Sequence, residues 1–178
     1  MREFAISVVG RDRPGIAAGI AAALVKAEAN IEDSRMTILR GHFTIMMLIA
    51  LPESADAAAL EADLEAVRER LGLGTVIMRA VESATGPAAV PTHVLTVYGA
   101  DHPGIVNAVC EALASENVNI DDLATRVAGA EDKPIYMMLC ELTLPTGLEP
   151  DRLKEVLATV AGQQGVEVSL RELEEDVI

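Results

Sequence analysis

The residues best suited to chemistry form an acidic turn that occurs twice. One copy extends from Asp12 to Gly15, and the other extends from Asp101 to Gly104, each with a proline before the glycine. An apolar run with helical spacing follows each glycine, so the unpaired N–H groups of a helix start should lie beside the turn. A helix start attracts a carboxylate, and an Asp carboxylate accepts hydrogen bonds from an ammonium group. The pattern predicts a site for a free amino acid.

A polar residue, Asn30 or Asn119, directly follows each predicted helix and should end it. Its amide offers a ligand both a donor and an acceptor. A purely structural interpretation is also open, in which the Asp caps the turn and the Asn tolerates a left-handed helix exit. The predicted ligand-binding residues are Asp12, Gly15, Asn30, Asp101, Gly104 and Asn119.

Other chemistry is poorly supported. Gly10 and Gly15 have the spacing of a phosphate-binding loop, but the lysine that such a loop needs is missing. None of the histidines has metal-ligand spacing: His42, His93 and His102. Three acidic pairs are interpreted as solvated turns: Glu32–Asp33, Asp121–Asp122 and Glu131–Asp132. No catalytic set recurs in both halves, so we expect neither an enzyme, nor a metal site, nor a cofactor.

The elements that must position these residues come from an internal repeat. The segment 9–16 recurs as 98–105, and 29–33 recurs as 118–122, both at an offset of 89. Further on, the offset becomes 93, which places four extra residues in a hairpin tip near Glu131. The predicted organisation is a first domain at 1–84, a linker at 85–91 and a second domain at 92–178 that ends in an acidic tail.

Each half predicts the order β-α-β-β-α-β, which is the ferredoxin-like arrangement. In the first helix of each half, apolar residues recur every four positions and should be buried: Ile16, Ile20 and Leu24, then Ile105, Val109 and Leu113. The predicted hairpins have strands at 36–40 and 43–51, and at 123–128 and 135–144. The fold class is α+β, with two antiparallel sheets, each covered by helices on one face.

The composition of the chain also argues against some classes of function. The net charge of the 178 residues is −14, of which residues 85–178 contribute −11. This acidity and the four aromatic residues argue against direct nucleic-acid binding. The longest apolar run is too short to span a membrane, and Cys110 and Cys140 are interpreted as reduced thiols of a cytoplasmic protein. Because 43–51 and 135–144 are apolar on both faces, we expect a homo-oligomer.

The Asp-x-Pro-Gly-Ile turn followed by Asn-Ile, present twice, resembles the ACT domain, a small regulatory module that binds amino acids. The tandem layout is similar to the glycine cleavage system transcriptional repressor group. The resemblance implies effectors held where modules meet, with loop contacts from Asp12, Gly15, Asp101 and Gly104 and polar contacts from Asn30 and Asn119. Some ACT sites have a histidine where this chain has Gly10 and Gly99.

The expected function is therefore a non-catalytic, amino-acid-responsive regulator. It would control transcription of amino-acid metabolism, with glycine as the first candidate, through a protein partner. The alternative is a regulatory subunit of an amino-acid biosynthetic enzyme.

Overall fold

The structure is a computed structural model that describes residues 1–82, 90–130 and 133–173. The chain divides into two compact units, Met1–Thr85 and Gly86–Ile178, called here the first and second domains.

Three sequence-based predictions lie wholly or partly outside the described residues. The predicted linker at 85–91 is described only from residue 90 onward, and the predicted extra residues near Glu131 include the undescribed pair 131–132. The acidic tail is described only as far as residue 173.

The first domain has six elements around one four-stranded antiparallel sheet. The strand order is β2-β3-β1-β4, so β2 is an edge strand. In chain order the elements are β1 (Arg2–Arg11), α1 (Ile16–Lys26), β2 (Asn30–Leu39), β3 (His42–Leu51), α2 (Ala57–Leu71) and β4 (Thr75–Ala80).

The second domain repeats this arrangement with the strand order β6-β7-β5-β8. Its elements are β5 (His93–Ala100), α3 (Ile105–Ser115), β6 (Asn119–Ala130), β7 (Lys133–Thr143), α4 (Pro150–Gln164) and β8 (Val166–Glu172). The predicted α+β class with two βαββαβ repeats is confirmed.

The core of each domain lies between its sheet and its helices. The apolar stripes of α1 and α3 are buried as predicted, at 0–1% exposure for Ile16, Ile20, Leu24, Ile105, Val109 and Leu113. They pack with the strand residues that point to the same side, such as Ile6 in the first domain and Leu95 in the second. Burial of these stripes fixes which face of each helix meets the sheet.

The other face of each sheet carries exposed apolar side chains. Along β3, Ile45 and Met47 are buried whereas Met46 and Leu48 are 56% and 39% exposed. Exposed Leu139 of β7 is a counterpart in the second domain. Both faces of β3 and of β7 therefore carry apolar side chains, as predicted. One face packs against the helices of the domain, and the other is not covered by any element of the same domain.

The predicted ends of α1 and α3 are wrong. These helices end at Lys26 and Ser115, before Asn30 and Asn119, which begin β2 and β6. Two other residues have the left-handed backbone near the helix exits, Glu28 and Asn117, each with φ of 55°. Both strands consequently start earlier than the predicted positions 36 and 123.

Candidate functional site

The turn between β1 and α1 presents a helix start that no side chain caps. The Asp12 N–H donates to the Gly41 carbonyl at 2.9 Å, which fastens the turn to the β2–β3 hairpin. Gly15 has φ of 95°, a conformation that strongly favours glycine, and it immediately precedes α1. No heavy atom lies within 4 Å of the point where a Cβ of Gly15 would be. The space beside the N-cap residue of α1 is therefore open.

The turn between β5 and α3 has the same construction. The Asp101 N–H donates to the Pro134 carbonyl at 3.2 Å, and Gly104 has φ of 106°. Here the space beside the glycine is partly lined, since the Gln164 Oε1 lies 3.7 Å from the position of a Gly104 Cβ. The two domains thus provide two similar helix starts.

The side chains of Asp12 and Asp101 do not cap these helices. Gly15 and Gly104 occupy the N-cap positions and have no side chain to accept a hydrogen bond. Among the residues that the structure describes, no donor is hydrogen-bonded to either Asp carboxylate. Both carboxylates are exposed, so each could accept from a ligand ammonium group.

Close packing explains why this chain has glycine at positions 10 and 99, where some ACT sites have a histidine. A Cβ on Gly10 would lie 2.8 Å from the Leu73 Cδ2 and 3.1 Å from its Cα. A Cβ on Gly99 would lie 2.8 Å from the Val166 Cγ1 and 3.1 Å from its Cα. Because backbone atoms are among the close neighbours, a larger residue at either position requires the adjacent chain to move.

Asn30 and Asn119 each bind an acidic side chain two residues further along the strand. The Asn30 Nδ2 donates to Glu32 at 2.8 Å, and the Asn119 Nδ2 donates to Asp121 at 2.6 Å. Asp121 also accepts from the Thr143 hydroxyl at 2.7 Å. Each Asn amide therefore donates an N–H to an acidic neighbour, and both carboxylate oxygens of Asp121 already accept hydrogen bonds.

Glu32 and Asp121 were not predicted to be part of this arrangement. They lie within strands, at β-bulges between Ile31 and Asp33 and between Ile120 and Asp122, so interpreting Glu32–Asp33 and Asp121–Asp122 as turns was wrong. The third acidic pair, at 131–132, lies outside the described residues. Their recurrence at the 89-residue offset, two positions after an Asn, is the signal that could have identified them.

The structure places the acidic turn and the Asn at opposite ends of the same sheet. Asn30 pairs with Ala50 at one end of β2, whereas Leu39 pairs with His42 at the other end, next to the Asp12 turn. Nine residue steps along a strand span about 30 Å. A single domain therefore does not bring Asp12 and Asn30 to one ligand, and the second domain separates Asp101 from Asn119 in the same way.

The described residues were also compared with what a metal site, a membrane-spanning helix or a disulfide would require. They contain no group of three or more His, Cys, Asp or Glu side chains that could hold a metal ion. No helix among them is long and apolar enough to cross a membrane. Cys140 is buried, Cys110 is half-buried, and both are free thiols.

Comparison with known protein families agrees with the repeat. Models of the ACT domain match residues 2–78 and 93–162, one in each domain. Phosphoserine phosphatase SerB2 of Mycobacterium tuberculosis is 27% identical over 169 residues, which are 94% of this chain and 40% of the phosphatase.

The solved structures that match both domains include the following two. A protein of unknown function from Galdieria sulphuraria is 30% identical, with a TM-score of 0.79 over 97% of this chain and 98% of that one. A candidate glycine cleavage system transcriptional repressor is 20% identical, with a TM-score of 0.74 over 97% of each chain, a likeness of fold. The fold, the repeated turn and these matches together show that the chain belongs to the ACT domain family, with two ACT domains in tandem.

Proposed function

We propose that this chain is a non-catalytic regulatory protein whose ACT domains bind a free amino acid. The observation that carries the proposal is the pair of uncapped helix starts, each beside an exposed Asp carboxylate that accepts no hydrogen bond from the described residues. The N–H groups of α1 or α3 would bind the ligand carboxylate, and Asp12 or Asp101 would accept from its ammonium group. Glycine is the first candidate effector, because the chain resembles a candidate repressor of the glycine cleavage system in fold.

The separation of Asp12 from Asn30 favours a site completed by a second copy of the chain. Edge strand β2 is exposed along its whole length, so its outer N–H and C=O groups can pair with another strand. Antiparallel pairing of β2 with β2 of a second copy places the Asn30 end of one copy at the same end of the joint sheet as the other copy's Asp12 turn. A ligand at that junction would favour the paired state.

Regulation would act through a protein partner. Ligand binding that stabilises one assembly over another changes the surface offered to that partner. The acidity of the chain disfavours direct contact with a nucleic-acid backbone, so control of transcription would operate through a protein and not on DNA. We place this activity in the cytoplasm and expect no turnover of the amino acid.

The first experiment is a thermal-shift panel of glycine and the other common amino acids. A ligand at about 100 times its Kd adds about 2.7 kcal/mol of apparent stability. Calorimetric titration of Asp101→Ala then tests the site, because loss of a charge-assisted hydrogen bond costs about 1.5–3 kcal/mol, or roughly 10- to 150-fold in Kd.

Glu111→Ala is the matched control, since Glu111 is an exposed acid on α3 outside the turn. It should leave the Kd unchanged. Unchanged affinity in Asp101→Ala together with a lowered melting temperature would show that the turn is structural and that any ligand binds elsewhere.

The similarity to phosphoserine phosphatase SerB2, which extends across both domains, favours a second candidate function. In this alternative the chain is a regulatory subunit of an enzyme of amino-acid biosynthesis. Co-purification distinguishes the two proposals, because a metabolic enzyme captured in stoichiometric amount supports the alternative and a transcription regulator supports the first proposal.

A further inference from the structure

A cationic residue of each acidic turn lies against the C-terminal end of the second helix of its domain. In the second domain this residue is His102, whose Nε2 is 2.8 Å from the Gln164 carbonyl oxygen. Its Nδ1 is 3.1 Å from the Pro103 carbonyl oxygen. Gln164 is the last residue of α4, so the imidazole joins the β5–α3 turn to that helix end.

The two contacts require opposite ring nitrogens to donate at once. A carbonyl oxygen only accepts hydrogen bonds, and a neutral imidazole has a single N–H. Only the imidazolium form satisfies both the Gln164 and Pro103 carbonyls. The C-terminal end of a helix also favours a positive charge, so the position on α4 acts in the same direction.

The electrostatic surroundings of His102 support the charged ring. The Gln164 carbonyl, followed by that of Pro103, raises the pKa of His102 above its ordinary value, and the neighbouring Asp101 carboxylate adds a smaller contribution. Within the described part of the chain, Asp101 is the ionisable group that acts on this imidazole, and α4 contributes backbone carbonyls only.

The first domain has a permanent cation at the equivalent position. Arg13 stands where the repeat places His102, and its Nη2 lies 3.1 Å from the point where a Cβ of Gly72 would be. Gly72 is the C-cap residue of α2, as Gly165 is of α4. The guanidinium stays charged across the pH range in which histidine titrates.

We propose that His102 is a pH-sensitive latch that fastens the β5–α3 turn to the C-terminal end of α4, whereas Arg13, which lies near the C-terminal end of α2, keeps its charge across the same pH range. The latch needs no bound amino acid, so it stands whether or not the turns bind a ligand. Loss of the latch at alkaline pH makes the second turn more mobile than it is at acidic pH. If both turns do bind an effector, pH then alters one site of the chain and spares the other.

The direction of the pH dependence follows from the hydrogen bonds of His102. Folding favours the protonated ring, so the stabilisation is fully present below the pKa of the unfolded state and disappears as the pH rises through the higher folded-state value. Each unit by which a measured midpoint exceeds about 6.5 corresponds to a tenfold preference of the latched state for the proton.

The test is an NMR pH titration of the full chain with labelled histidine and backbone nitrogen, without any ligand. The His102 ring signal is identified by its loss in His102→Arg. We expect its midpoint above 6.5, and we expect the Gly104 and Gly165 amide signals to shift with the same midpoint. A His102 midpoint at or below the ordinary histidine value, or a Gly165 amide that ignores the titration, would overturn the latch.

Exchanging the two cations provides the matched control. His102→Arg should abolish the pH dependence at Gly104 and Gly165 and leave both domains folded. Arg13→His should create a corresponding dependence at Gly15 and Gly72. Persistence of the original dependence at Gly165 in His102→Arg would refute the role of this side chain. A failure of amino-acid binding, by contrast, would leave all of these results unchanged.

Discussion

Replacing Gly99 with Ala should destabilise the second domain although the change adds one methyl group. The new Cβ would lie 2.8 Å from the Val166 Cγ1 and 3.1 Å from its Cα. Val166 is β-branched and its Cα belongs to the paired strand β8, so neither atom can move independently. Overpacking of this kind costs about 1–3 kcal/mol, and the loss of glycine's unfolded-state freedom returns about 0.5–1 kcal/mol. At the middle of these two ranges we expect a net loss of about 1 kcal/mol.

Gly162→Ala is the matched control in the same domain. Gly162 lies within α4, and no heavy atom lies within 4 Å of its Cβ position. The same methyl group should therefore stabilise the domain by about 0.5–1 kcal/mol through helix propensity.

Urea unfolding followed by tyrosine fluorescence measures both variants selectively. The two tyrosines of the chain, Tyr98 and Tyr136, lie in the second domain, and the chain has no tryptophan. The signal therefore reports the unfolding of that domain, which need not coincide with the first. A Gly99→Ala variant as stable as the unmodified protein, beside a stabilised Gly162→Ala, would refute the close-packing explanation for these glycines.

Three further predictions concern packing, capping and reactivity. Leu113→Ala, at a fully buried position of α3, should cost about 2–5 kcal/mol in the same fluorescence assay. Asp56→Ala removes the N-cap bond from the Ala58 N–H to the Asp56 carboxylate and should cost the first domain about 1 kcal/mol, measured by far-UV circular dichroism. Burial raises the pKa of the Cys140 thiol to about 11, so iodoacetamide at about pH 8 should alkylate it only after denaturation, and mass spectrometry of the native protein should find it unmodified.

The repeat made most of the fold predictable. An offset of 89 residues before the hairpin tip and of 93 after it aligned the two copies of the elements, and the four-residue spacing of Ile16, Ile20 and Leu24 identified the buried face of α1. The position of a turn also agreed with the structure. Gly41 and Arg40 both have positive φ and form the two-residue connection between β2 and β3, close to the predicted break between the strands at 36–40 and 43–51.

The residues around Asn30 and Asn119 were harder to place. An Asn after an apolar helix is a common helix-ending signal, but the chain uses Glu28 and Asn117 for the left-handed exit. Both residue types adopt this backbone when packing of the flanking helix and strand requires it. Local preference therefore could not identify the residue at which each helix ended.

The separation of the acidic turn from the Asn was implicit in the predicted topology. A helix that connects two strands in a β-α-β unit carries the chain back to the opposite end of the sheet. The turn before α1 and the Asn after it must then lie at different ends, whatever their distance in sequence. Similar chemistry in neighbouring motifs had suggested one site, whereas the connection between them separates the two motifs within each domain.

The central claim is that the Asp turn of one copy and the Asn of another form one amino-acid site. The most direct test mixes two variants, Asp12→Ala/Asp101→Ala and Asn30→Ala/Asn119→Ala, with the amino acid that gives the largest thermal shift. Neither variant alone should bind it. In mixed dimers one junction keeps both native partners, so random pairing of equal amounts should restore about a quarter of the sites measured by calorimetry. Absence of binding in the mixture, despite exchange of subunits, would contradict the account.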